Sequence, residues 1–169
     1  MSHRLIQLIT LALSGLIAGT FFYGTFCVLP AFYEVPSTIH LGFRTTLMQH
    51  NKFLVMLLVI LAIGFNFIYY INIRKTGKAG IACLLALICT LVSLVVTRFG
   101  SVPINILMKT WDTSLPPADW LIILKKWDLY NAIRTTTSIV GFILLMLANE
   151  IQFHRNHIQN GHQPLCSRS

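Results

Sequence analysis

A chain of 169 residues that is 55% hydrophobic and only 11% charged departs from soluble domains, where about a quarter of the residues are charged. Its net charge of +8 would suggest nucleic acid if the chain were soluble. Here the basic residues flank long apolar runs, so they read as topogenic, lipid-facing charge, and nucleic acid is excluded as a partner.

Four segments are long and apolar enough to cross a bilayer as helices, which takes roughly 20 residues each. They cover about 5–32, 53–71, 79–97 and 132–150. The expected fold is all-α: an integral membrane four-helix bundle filling residues 1–153 as one domain, followed by a polar, disordered tail over 154–169. The apolar run that starts at Leu5 continues to Phe32 with no clean small-x-small cleavage site, so it reads as a retained span and not a leader. Gly15 and Gly19 form one G-x-x-x-G, which lets a neighbouring helix approach closely, and Pro30 kinks or ends the span.

The connection from Tyr33 to Asn51 carries Glu34, His40, Arg44 and His50 among enough apolar residues to lie partly as an interfacial helix. Asn66, inside the second span, calls for a hydrogen-bonding partner on another helix. The loop Asn72–Gly80 holds Arg74, Lys75 and Lys78 with no acid, which marks it as cytoplasmic and puts both termini on the same side. Cys27, Cys83 and Cys89 fall within spans without a C-x-x-C pair, so they read as small apolar packers and not as a metal or redox motif.

Beyond the third span, Ser101-Val102-Pro103 breaks the chain, and Pro103 suits the first turn of a short interfacial helix to about Trp111. Ser114-Leu115-Pro116-Pro117 is a second break, after which one helix runs from Ala118 to about Phe153. On a wheel of 100° per residue, Trp120, Trp127, Asn131 and Arg134 fall within an arc of about 60°. An ordinary buried face would be aliphatic. Two indoles, an amide and a guanidinium descending toward the membrane suit a flat, partly polar small molecule. Asn105 and Trp111 lie at the same mouth. The plainer alternative is an aromatic belt, with Arg134 pairing with Asp128 or Glu34 and Asn131 bonding Asn105.

The segments VPINILMKTWD and KWDLYNAIRT, with GLIAGTFFYGTFCVLPAF in the first span, resemble the DUF1772, or anthrone oxygenase-like, family of small four-span membrane proteins. The resemblance extends to about residue 150. It implies oxidation of an anthrone to an anthraquinone by O2, through a carbanion or enolate that reacts directly with oxygen. Such chemistry needs a base, an oxyanion stabiliser and an apolar cavity open to oxygen. Carried onto this chain, Arg134 is the stabiliser, Asn131 and Asn105 are orienting amides and Trp127 a stacking wall, while Trp111 and Trp120 complete the substrate-binding set. His50 is the first candidate base, ahead of His40 and Glu34.

No cofactor is favoured. The alternative is a metal held by His40, His50, Glu34 and Asp128, a set without H-x-x-H, E-x-x-H or C-x-x-C spacing. The expected function is that of a membrane-embedded oxidoreductase acting on a small aromatic or lipophilic substrate. The competing reading is a non-enzymatic membrane subunit, or a binder of lipid or quinone, and a homo-oligomer is compatible with either.

Overall fold

The structure is a computed structural model that describes residues 3–161. Every regular element in that range is helical. The order is α1 (His3–Tyr23), α2 (Leu29–Tyr33), α3 (Ser37–Ile73), α4 (Lys78–Val96), α5 (Val102–Met108) and α6 (Trp120–Gly161). Four helical stretches are long and apolar enough to cross a membrane: His3–Tyr33, Phe53–Ile73, Lys78–Met108 and Trp120–Arg155. The protein is a multi-pass membrane bundle.

Each spanning helix packs on two neighbours in a closed square, α1 on α3, α3 on α4, α4 on α6 and α6 on α1, with the most extensive contact between α4 and α6. Short connections force this up-down-up-down order. The tightest is the turn after Ile73, where Gly77 adopts φ 65°, a conformation that glycine enters without steric penalty.

Core side chains form three layers along the bundle. Ile6, Tyr69, Ile73, Ala79, Cys83, Ala86, Leu145 and Ala148 pack near the chain's start. Ile17, Phe21, Val59 and Ala62 form the middle. Leu41, Ile104, Met108 and Leu124, flanked by Trp111, Trp120, Trp127 and Tyr130, close the far end. Lipid tails are as apolar as the side chains, so it is the small residues at these contacts that let the helices approach. Gly15 serves this purpose, since a methyl group there would lie 3.1 Å from the Phe142 ring, whereas Gly19 faces open space. Asn66, fully buried, donates to Thr90 Oγ1 at 3.4 Å on α4, which satisfies the amide between helices as anticipated.

Several expectations need correction. Pro30 and Pro103 do not break their helices. Each is preceded by a five-residue π turn, Gly24–Val28 and Thr97–Ser101, and sits in the first turn of the helix that follows. The wider turn re-registers the backbone: Leu29 N–H donates to Gly24 O and Val102 N–H to Thr97 O, an i→i−5 pattern. The short helix α5 is therefore joined end-on to α4. The Tyr33–Asn51 connection is helical from Ser37 onward, as expected, but it is no separate segment, because α3 runs unbroken from Ser37 into the second span. At the other end α6 continues through Gly161, so residues 154–161 of the expected tail are helical. Residues 162–169 lie outside the described range. Cys83 is buried, but Cys27 is exposed on the outer face of the bundle.

Gly100, in the second π turn, lies against the Tyr130 ring, and a methyl group there would sit 2.7 Å from it. Overpacking of this kind costs about 1–3 kcal/mol. Gly100→Ala should therefore lower the thermal midpoint of the detergent-solubilised protein clearly, whereas Gly24→Ala, which meets open space in the first π turn, should not.

Candidate functional site

The far end of the bundle gathers polar side chains from α2, α3, α5 and α6. Arg44 is only 1% exposed. Its Nη2 donates to Asp128 Oδ1 at 3.0 Å, its Nη1 lies 3.2 Å from His40 Nε2, and its guanidinium carbon stands 4.2 Å above the Trp127 ring. His40 is as deeply buried. It stacks on Phe32 at 5.3 Å and meets Tyr33 and Trp120 edge-on at 5.1 and 5.8 Å. Tyr33 Oη donates a short hydrogen bond to Asp128 Oδ2. One carboxylate thus balances one guanidinium inside an aromatic wall, which offsets the cost of burying the charge.

Arginine can only donate, so His40 Nε2 accepts and the ring is neutral. Burial, and next the Arg44 charge, hold the His40 pKa below its ordinary value of 6.5, with Asp128 acting weakly in the opposite sense. The unfolded chain therefore binds the His40 proton more readily than the folded one, and folding stability rises with pH across the interval between the two pKa values. Stability should be full above about pH 6.5 and fall as the pH drops below it. Thermal midpoints between pH 7.5 and 5 check this, with His40→Gln, whose amide oxygen can still accept from Arg44, removing that slope.

One to two turns deeper, a second network joins the end of α1 and the π turn that follows it to α6. Arg134 Nη2 donates to Asn131 Oδ1, Asn131 Nδ2 donates to Thr25 Oγ1 at 2.7 Å, and Thr25 Oγ1 lies 2.7 Å from Thr135 Oγ1. Thr135 donates to the Asn131 carbonyl at 2.8 Å. The Arg134 guanidinium sits 4.2 Å above the Phe21 ring, and its Nε is buried without a hydrogen-bond partner. No carboxylate faces Arg134: among the described residues the salt bridge formed by side chains is Arg44–Asp128. An arginine within a span without a counter-ion is costly.

The structure thus distributes most of the stripe read from the helical wheel between two networks along α6. Trp127 Nε1 donates to Asn105 Oδ1 at 2.7 Å, which fixes the indole that Arg44 covers. Trp120 and Trp111 are half-buried against the Leu41, Ile104, Met108 and Leu124 layer. Asp128 pairs with Arg44 and not with Arg134, and Asn131 bonds Thr25 and not Asn105. His50 and Glu34 are exposed, and His50 stands ten residues along α3 from His40, about 15 Å at 1.5 Å per residue. Among the described residues no group of three or more His, Cys, Asp or Glu side chains converges as a metal site. His40 and Asp128 instead flank the Arg44 guanidinium.

Arg44, Tyr33 and Thr25 were not anticipated as site residues. The signal for Arg44 was present in the spacing of His40 and Arg44, four apart on one helical face. It was hidden by the expectation of a separate, only partly helical interfacial segment there. Thr25 gave no signal, because nothing in the sequence announces a π turn.

A square of four spans with an arginine-centred, indole-walled polar cluster at one end defines a small membrane helix bundle. The chain belongs to the anthrone oxygenase family, which matches residues 43–144, more than half of the 169 residues. That stretch includes Arg44, Asn105, Trp111, Trp120, Trp127, Asp128, Asn131 and Arg134. No characterised protein and no solved structure matches the chain.

Proposed function

We propose that this protein is a membrane-embedded oxygenase that converts a lipophilic anthrone-type phenol to the corresponding quinone. The observation that carries the reading is Arg134: a guanidinium inside a span, partnered by an amide and a ring face and by no acid. Membership of the anthrone oxygenase family supports the same chemistry.

The reaction balances without a redox side chain. A methylene flanked by two aromatic rings loses a proton to give an enolate. The enolate carbon then reacts with O2 to form a hydroperoxide, and loss of water leaves a carbonyl. One O2 is consumed per substrate and one water is released. The enzyme must stabilise the enolate oxygen, accept the first proton and keep the ring system flat.

Arg134 supplies the positive charge at the developing oxyanion, and Asn131, held by Thr25, orients the guanidinium. Electrostatic help of this type is strongest where water is excluded. Trp127, anchored by Asn105 and capped by Arg44, is the stacking wall, with Trp120 and Trp111 at the rim. Asp128 takes the proton: it is the carboxylate beside the stripe, 20% exposed and so in reach of water. His40, only 1% exposed, has no such access to water. His50 is exposed, away from this wall.

The test is oxygen uptake by purified protein in detergent with an anthrone as substrate, alongside metal content and the visible spectrum. Saturable uptake in excess of the spontaneous rate, with quinone formed in equal amount, supports the reading. No uptake above background, with lipid, quinone or another membrane subunit copurifying, would replace it with the non-catalytic role.

A further inference from the structure

A groove of about 150 Å³ opens on the outer side of the contact between the first π turn and α6, lined by Thr25, Phe26, Ala132, Thr135, Ile139 and Val140, with the exposed Thr136 at its rim. It lies within two spans, and its neighbours Phe22, Phe26, Val140 and Ile143 are exposed apolar side chains, so its mouth faces lipid. A cavity of roughly 150 Å³ accommodates one benzene-sized ring.

The groove's polar floor has a definite hydrogen-bonding sense. A threonine hydroxyl has one proton to give and two lone pairs. Thr135 spends its proton on the Asn131 carbonyl at 2.8 Å, so Thr25 is the donor in the 2.7 Å contact between the two hydroxyls. Thr25 also accepts from Asn131 Nδ2. Each hydroxyl is left with a lone pair and no proton. The Thr25–Thr135 pair at the floor therefore accepts hydrogen bonds, while Thr136 at the rim carries a hydroxyl that can donate or accept. The complement of the floor is an O–H donor on an apolar ring, namely a phenol. An acyl chain offers no donor to this floor.

We propose that this groove binds one phenolic ring of a lipophile taken directly from the bilayer, with the ring hydroxyl donating to the Thr25–Thr135 pair. The inference rests on the oxygenase reading for the identity of the wider substrate and adds the route by which it arrives. Thr25 and Asn131 link the groove to Arg134, so the ring docks one hydrogen-bonded side chain away from the guanidinium.

The test uses 4-hydroxybenzophenone as a photo-crosslinking probe on the full chain in lipid nanodiscs, with labelled positions mapped by mass spectrometry. Label is expected on residues 25–26 and 132–140, several-fold stronger than with benzophenone, which lacks the hydroxyl. Ala132→Phe and Val140→Trp both fill the groove from its exposed side without touching the core, and either should cut that labelling about tenfold. Ile81→Phe, exposed on α4, should not change it. Label spread over the lipid-facing surface, label concentrated at the Trp111–Trp120 end, no preference for the hydroxyl, or displacement by a fatty acid would each overturn the proposal. Because the readout is binding, labelled groove with no oxygen uptake would remove the oxygenase reading alone, and oxygen uptake with label elsewhere would remove the groove alone.

Discussion

Arg44→Ala should destabilise the protein by about 3 kcal/mol, the low end of the range for leaving one member of a buried ion pair without its partner. The low end applies because Asp128 is 20% exposed and water can partly take over from the lost guanidinium. Three contacts disappear together: the Asp128 pair, the His40 hydrogen bond and the cover over Trp127. A stacked cation of this kind contributes about 1 kcal/mol by itself. The double variant Arg44→Met with Asp128→Leu should recover much of the loss, since replacing both charges by apolar groups of similar volume is often close to neutral. Thermal midpoints of the three proteins in one detergent decide the matter. A single Arg44→Ala variant as stable as the parent would show that the cluster contributes no net stability.

Arg134→Ala should behave in the opposite way, retaining fold and membrane insertion while losing turnover by about 10²–10³-fold, the usual cost of removing one oxyanion donor. The residue pairs with no carboxylate, so its removal strands no buried charge and leaves Asn131 still bonded to Thr25. Arg134→Lys keeps the charge but loses the planar fork, and should fall between the two. A kcat loss with KM little changed would locate the effect in the transition state. Loss of folded protein with no change in rate per folded molecule would make Arg134 a structural residue.

The spans could be read from the sequence because the bilayer imposes a length on any helix crossing it. The stripe of Trp120, Trp127, Asn131 and Arg134 was legible for a related reason: one uninterrupted helix keeps its residues in phase. Asn105 was placed with them, and it does hold Trp127. Legibility failed where tertiary context overrides local chemistry. Pro30 and Pro103 read as breaks, yet π turns absorb them, and that choice depends on neighbouring helices such as the one carrying Tyr130 against Gly100. The segment from Ser37 to Asn51 mixes His, Arg and Thr with apolar residues and reads as an interfacial helix apart from the span. As the start of α3, however, it turns His40, Leu41 and Arg44 inward together. The partner of Arg44 lies 84 positions away on α6, a pairing that no local pattern specifies.

Oxygenation at the Arg134 end of the stripe is decided by isotope labelling. Purified protein is given an anthrone under ¹⁸O2 at a pH where the spontaneous reaction is slow, with Arg134→Ala in parallel. The account predicts one ¹⁸O atom in the new quinone carbonyl, equal molar consumption of O2 and substrate, and loss of the catalysed fraction in the variant. A wild-type protein that forms no labelled quinone above the uncatalysed rate, or one whose rate is unchanged by Arg134→Ala, would contradict it.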